Sequence, residues 1–109
     1  MIHVQKLKDV TDFINALPDY DAAACDRYIT LLQEHGWKLR DPFTEHTDGI
    51  YILRPSGKGG EYRIFYDFVK GSAYLVLAIH KKTRKLNRKD IELAKERISL
   101  VKRSLFIAC

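Results

Sequence analysis

Apolar residues change their spacing partway along this chain. Leu7, Val10, Phe13, Ile14 and Leu17 recur every three or four positions, which is one face of a helix. Pro18 ends that run by withholding the next backbone donor. A second helical run carries Ala24, Tyr28, Leu31, Leu32 and His35 on its inner face, with Asp19 or Asp21 as N-cap and Gly36 as its stop. Together the two runs predict an αα-hairpin. Before them, Met1 to Lys6 alternates at Ile2 and Val4, and reads either as a short edge strand or as a frayed first turn. Trp37 to Asp48 has no period and contains Pro42, so it reads as loop. Trp37 is expected to anchor the end of the core, with base stacking as the other reading of that ring.

Beyond Gly49 the spacing falls to two. Ile50 to Arg54 alternates so that Ile50, Ile52 and Arg54 share one face while Tyr51 and Leu53 share the other. Asp48-Gly49 marks a turn before it, and PSGKGG is a loop after it. Glu61 to Val69 is dense in β-forming residues, and Lys70-Gly71-Ser72 turns the chain into Tyr74 to Ile79, apolar throughout as a central strand would be. Asn87 is placed as an N-cap with Asp90 at the third helical position. Ile91, Ala94, Ile98, Val101 and Leu105 then form one face of a closing helix, its Lys- and Glu-rich side facing solvent. The expected fold is α+β, one domain over residues 1–109. It has a small twisted antiparallel sheet of three to four strands, an N-terminal αα-hairpin and a C-terminal helix.

Composition narrows the function. A chain of 109 residues with 46% hydrophobic and 30% charged residues is an ordinary globular domain. Its net charge of +5 favours an anionic partner: RNA, DNA, an acidic protein or a membrane surface. Cys25 and Cys109 make no disulfide framework, and Cys25 falls within a helical pattern as a small core residue. With no run of about 18 apolar residues and no signal-peptide pattern, a cytoplasmic location is expected. His3, His35, His46 and His80 are scattered without metal-ligand spacing, and neither a P-loop nor a dinucleotide fingerprint is present. No metal, cofactor or membrane partner is expected.

What remains is cationic chemistry. Arg54 ends one strand and Arg63 lies near the start of its neighbour, so a hairpin could bring them together near His80 and the Lys81–Lys85 turn. Arginine's fixed fork suits phosphate. An arginine on a sheet face needs an anion, and for Arg63 a phosphate ligand and a salt bridge to Glu61, Asp67 or a helix carboxylate weigh equally. Lys58 in the glycine loop, with Lys81, Arg84, Lys85, Arg88 and Lys89 around the end of the last strand, completes the candidate polyanion-binding set. A solvated loop ahead of a helix is the competing reading of the lysine turn.

The arrangement DGIYILR, GGEYRIFYDF, KKTRK and RKDIELAKER resembles the RelE/ParE superfamily of toxins from type II toxin–antitoxin modules, and within it the HigB-like, phage-derived branch. LLQEHG at the end of the second helix extends the likeness over nearly the whole chain. The resemblance implies an endoribonuclease (an mRNA interferase) that enters the ribosomal A site, beside rRNA, and cuts mRNA without metal by attack of a 2′-hydroxyl on the adjacent phosphate. It also implies a cognate antitoxin that neutralises it. By matching positions, Arg63 falls on the arginine that grips the scissile phosphate and Lys82 on a second cation there. Arg54 falls on the arginine of the first main strand, whose role is as much structural as catalytic. Lysines that serve as general base in some relatives are replaced by Ile50 and Ile52, and Asn87 to Ile91 offers no tyrosine or histidine for acid–base work. His80, a residue type that exchanges protons near neutrality, is the candidate acid–base group; a turn cap or core-edge histidine is the bland alternative. Two other functions fit the same fold: a ParE-like inhibitor of DNA gyrase, and a catalytically inactive RNA- or protein-binding module.

Overall fold

The computed structural model describes residues 1–82 and 85–108, the last three as backbone only. In chain order the elements are β1 (Val4–Lys6), α1 (Lys8–Asn15), α2 (Asp19–His35), a 3-10 turn (Gly36–Lys38), β2 (Thr44–Thr47), β3 (Ile50–Leu53), β4 (Ser56–Gly57), β5 (Gly60–Val69), β6 (Ser72–Lys81) and α3 (Arg88–Ala108). The strands form one sheet in the order β1-β6-β5-β3-β2, with β4 folded back onto β5. Both two-residue turns are where the sequence puts them. Asp48-Gly49 (φ 51° and 79°) and Lys70-Gly71 (φ 51° and 84°) take the left-handed backbone whose twist matches flanking antiparallel strands.

The fold class is α+β, but the sheet corrects the expectation of three to four antiparallel strands. Among the described residues it has six and is mixed, because β1 runs parallel to β6 with Val4 opposite Ala73. The edge-strand reading of the N-terminus is therefore the one found. β2 lies within the stretch expected as loop. Its sequence, Thr-Glu-His-Thr, has no apolar alternation. It is held instead by Thr44, whose hydroxyl donates to the Ile52 carbonyl (2.9 Å) and pairs with the Tyr66 hydroxyl (2.9 Å) in the interior. Burial pushes the Tyr66 hydroxyl up to about 12.

Alternation along the strands divides the core. Val10, Cys25, Leu32, Leu53, Ile64 and Leu75 meet on the face covered by α1 and α2. Ile50, Ile52, Phe65, Val76, Ala94 and Ile98 meet on the other, beneath α3. The two N-terminal helices share one hydrophobic cluster with the sheet, and α1 leans on β6 more than on α2. Arg97 ties α3 across the sheet edge. It donates to the Val76 carbonyl (2.8 Å), just beyond the last residue that β1 pairs, and to Asp9 of α1 (3.0 Å). Cys25 is fully buried and its thiol is pushed up to about 11, chiefly by burial, which makes it an inert core residue. Among the described residues, no helix is long and apolar enough to cross a membrane.

Three local expectations need correcting. Trp37 is 63% exposed, with Lys38 Nζ 5.6 Å from its ring centroid, because Leu39 takes the core position beside it. His35 is exposed at the end of α2, and Ile29 fills the inner face in its place. Neither Asp19 nor Asp21 caps α2, whose N-cap is Pro18 without a side-chain bond; Asp21 is turned elsewhere. Asn87 does cap α3, its side-chain oxygen accepting from the Lys89 amide (2.9 Å), and Asp90 stands in the first turn.

Ile52 of β3 is wholly buried beneath α3, whereas Leu100 of α3 is half exposed. Ile52→Ala should therefore cost about 2–5 kcal/mol in urea unfolding, and Leu100→Ala no more than about 0.5 kcal/mol.

Candidate functional site

The register of the long hairpin decides which site residues meet. Tyr62 pairs with His80, and Arg63 pairs with Ile79. Neighbouring pairs on a pleated ladder point to opposite faces. Tyr62 and His80 thus lie on the α2 face, and Arg63 lies with Phe65 on the α3 face. The expected convergence of Arg54, Arg63 and His80 is not what the fold produces.

On the α2 face, Asp21 is 1% exposed and reaches from the first turn of α2 to the glycine loop between β4 and β5. One carboxylate oxygen accepts from the Lys58 amide (2.7 Å). The other accepts from the Gly59 amide (2.9 Å) and, in a short bond, from the Tyr62 hydroxyl. The Tyr62 hydroxyl first, and the two amides with it, hold the Asp21 carboxyl below its ordinary value against the opposing effect of burial. The same bond pushes Tyr62 up to about 12. The imidazole of His80, itself exposed, stacks on the Tyr62 ring with centroids 5.1 Å apart. The loop has to be glycine here. A Cβ at Gly59 would lie 2.8 Å from Asp21 Oδ2, and one at Gly60 would overlap His80 Nε2.

His80 continues into Lys81, half-buried, and Lys82, exposed. With Ile79, Lys85 and Asp90 they line a recess of about 170 Å³ at the end of β6. Lys58 sits at the other side of the glycine loop with its ammonium 4.7 Å from the Tyr20 ring centroid. Arg88 is paired with Asp48 (3.3 Å) and Glu92 (3.6 Å), and Lys89 is exposed in the first turn of α3. Arg84 lies outside the described residues.

Arg63 is 1% exposed, so its guanidinium is an interior group. It donates to the Tyr62 carbonyl (2.7 Å) and to Glu61 (3.2 Å), while its Nε has no hydrogen-bond partner. Of the carboxylates weighed for it, Glu61 is the one found; Asp67 accepts from the Phe68 amide instead. Arg54 belongs to a different place. It pairs with Asp41 (3.4 Å) and lines a polar cleft of about 560 Å³ with Arg40, Glu45, His46 and Tyr51. Ile50 and Ile52 are core residues under α3, so the positions of the missing lysines are closed to solvent. Among the described residues, no group of three or more His, Cys, Asp or Glu side chains could hold a metal ion.

Reasoning from the sequence missed Asp21 and Tyr62 as parts of this site. The signal available was the glycine-rich SGKGG itself, which marks a close approach of other groups to the backbone as much as it marks a mobile loop. The partner 37 residues away was not readable from it.

Residues 12–99 match the family model described as Phage derived protein Gp49-like (DUF891). No curated protein matches the chain.

The Asp21–Tyr62 bond makes stability depend on pH at both ends. The lowered Asp21 pKa contributes stability above the ordinary carboxylate value, lost as pH falls through the depressed one. The raised Tyr62 pKa contributes stability below pH about 10, lost as pH rises toward 12. Tyr62→Phe should reduce both losses, so urea unfolding at pH 3, 7 and 11 should give a flatter profile for the variant than for the wild type.

Proposed function

Because the chain belongs to the phage-derived Gp49-like family, we propose that it is the toxin of a type II toxin–antitoxin module and cuts mRNA on the ribosome. The family falls within the RelE-like toxins of such modules; its assignment to the HigB-like branch is part of this proposal. The observation that carries the cleavage reading is the placement of His80. It is exposed, stacked on Tyr62, and followed directly by Lys81 and Lys82 around an open recess.

In this reading the recess takes the phosphate that follows the attacking 2′-hydroxyl. His80 accepts the proton from that hydroxyl as the 2′-oxygen bonds to phosphorus. The bond from phosphorus to the 5′-oxygen breaks, and the leaving oxygen takes a proton from water, giving a 2′,3′-cyclic phosphate and a 5′-hydroxyl. Lys82, with Lys81 beside it, stabilises the charge that builds on the phosphorane oxygens. Arg63 has a role that its burial makes conditional. Its weak bond to Glu61 and its unpaired Nε leave unused donor capacity. A phosphate oxygen that displaced Glu61 would use both. Lys58, Arg88 and Lys89, with Lys85, extend the cationic surface along which rRNA and mRNA backbone would lie. An antitoxin would present acidic and apolar groups to the same surface, and the action would be cytoplasmic because translation is.

Primer extension in a translating extract tests the reading, with naked RNA as control. Wild-type protein should produce cuts only where ribosomes are present. Lys82→Ala should slow them by about 10²-fold, the usual effect of removing one donor from a developing oxyanion. Arg63→Lys, which keeps the charge and loses the fork, should slow them while keeping the fold. Intact mRNA alongside gyrase-dependent DNA breaks would overturn the proposal, as would RNA binding that weakens steeply with salt and yields no product.

A further inference from the structure

We infer that Asp21 is a positioning residue for His80: through the glycine loop and the Tyr62 hydroxyl it fixes the two surfaces against which the imidazole rests. The inference rests on the cleavage reading only for the use that His80 is put to. The clamp itself stands on geometry.

A carboxylate 1% exposed in a small domain is costly unless donors replace its water. Asp21 has three, and none of them belongs to its own helix. It leaves α2 without a side-chain cap. What it gains is a long-range tie from α2 to the loop ahead of β5. Glycines make the tie close. A Cβ at Gly57 would overlap the Asp21 carboxylate, and one at Gly59 would stand 2.8 Å from Oδ2 and 3.2 Å from the Tyr62 hydroxyl. Bare backbone therefore lies against both this carboxylate and the Tyr62 hydroxyl that bonds it.

The same loop then meets His80. Gly60, at φ 139°, comes so close to the imidazole Nε2 that a Cβ there would overlap it. The flat of the imidazole lies on the Tyr62 ring, 26° from parallel. Its edge is set by Gly60 and its face by Tyr62, and Asp21 bonds the amide of Gly59, the neighbour of Gly60, and the hydroxyl of Tyr62. An exposed histidine at the end of a strand would otherwise turn freely about its side-chain bonds. A proton acceptor held in one orientation is what in-line attack by a 2′-hydroxyl requires, because small misplacements of a catalytic group are expensive in rate.

Two readouts test this, one of them independent of cleavage. In the folded wild type, the imidazole protons of His80 should be shifted by the ring current of Tyr62 in NMR spectra. Asp21→Ala should move them toward free histidine, and Asp21→Asn, which keeps one acceptor oxygen, should move them less. In ribosome-dependent cleavage, Asp21→Ala should lower kcat by about 10–100-fold with KM for programmed ribosomes held within about twofold. Gly60→Ala should do the same by pushing on the imidazole directly. Gly71→Ala is the control: its φ of 84° strains a side chain as well, but a Cβ there meets nothing within 4 Å. It should leave both readouts unchanged. Should Asp21→Ala fail to fold, Asp21→Asn and Gly60→Ala carry the same comparison. Unmoved His80 resonances in the folded variants would overturn the clamp. Equal losses from Gly71→Ala would overturn it too, since strain alone would then account for the effect. Shifted resonances in a protein whose wild type cuts nothing would leave the clamp standing and overturn its catalytic use together with the proposed function.

Discussion

The pleat of the hairpin formed by the two ten-residue strands β5 and β6 is the constraint on which this structure depends. Because successive side chains on β5 alternate, Tyr62, Ile64 and Tyr66 are committed to one helical layer, and Arg63 and Phe65 to the other. Arg63 and His80 therefore stand on opposite faces of the hairpin. The division of labour in the site follows from that single geometric fact. His80 is exposed at the end of β6 on the face of Tyr62, whereas Lys81, opposite Glu61, shares the face on which the Arg63 guanidinium is buried.

The two buried ions are stabilised by unequal means. Asp21 replaces its lost hydration with two backbone amides and a phenol, all close and all directed at the carboxylate. Arg63 has one carbonyl, one longer bond to a largely exposed carboxylate, and a nitrogen with nothing to donate to. The first arrangement is complete and ties the glycine loop to α2. The second is under-satisfied.

Much of the architecture was legible because it is written in local pattern. The helical runs, the Asp48-Gly49 and Lys70-Gly71 turns, the Asn87 cap and the three central strands each carry their signal within a few residues. What escaped was set by distant partners. Thr-Glu-His-Thr becomes a strand because Thr44 finds Tyr66 and the Ile52 carbonyl across the sheet, and no property of those four residues announces it. Asp21 looks like a helix cap by type and position, yet the loop between β4 and β5 outcompetes the helix for its oxygens. Trp37 looks like an anchor by size, yet Leu39 occupies the interior place. In the site, the sequence pointed to His80 and the lysines after it but not to Asp21 or Tyr62, and the convergence it suggested for Arg54, Arg63 and His80 is not found. Face assignment depends on knowing where each strand begins, and Arg54 falls one residue beyond the end of β3.

The parallel pairing of β1 with β6 has a consequence in time. Val4 leaves the ribosome early and must wait for Ala73 before its strand has a partner. Asp21 likewise waits for Lys58 and Gly59, and the His80 recess waits for residues of α3. Contacts this far apart along a chain form late in folding. While its own message is being translated, the nascent chain therefore has neither a closed sheet nor an assembled recess. The sheet edge and the recess are completed only when β6 and the first turn of α3 have been added to the chain.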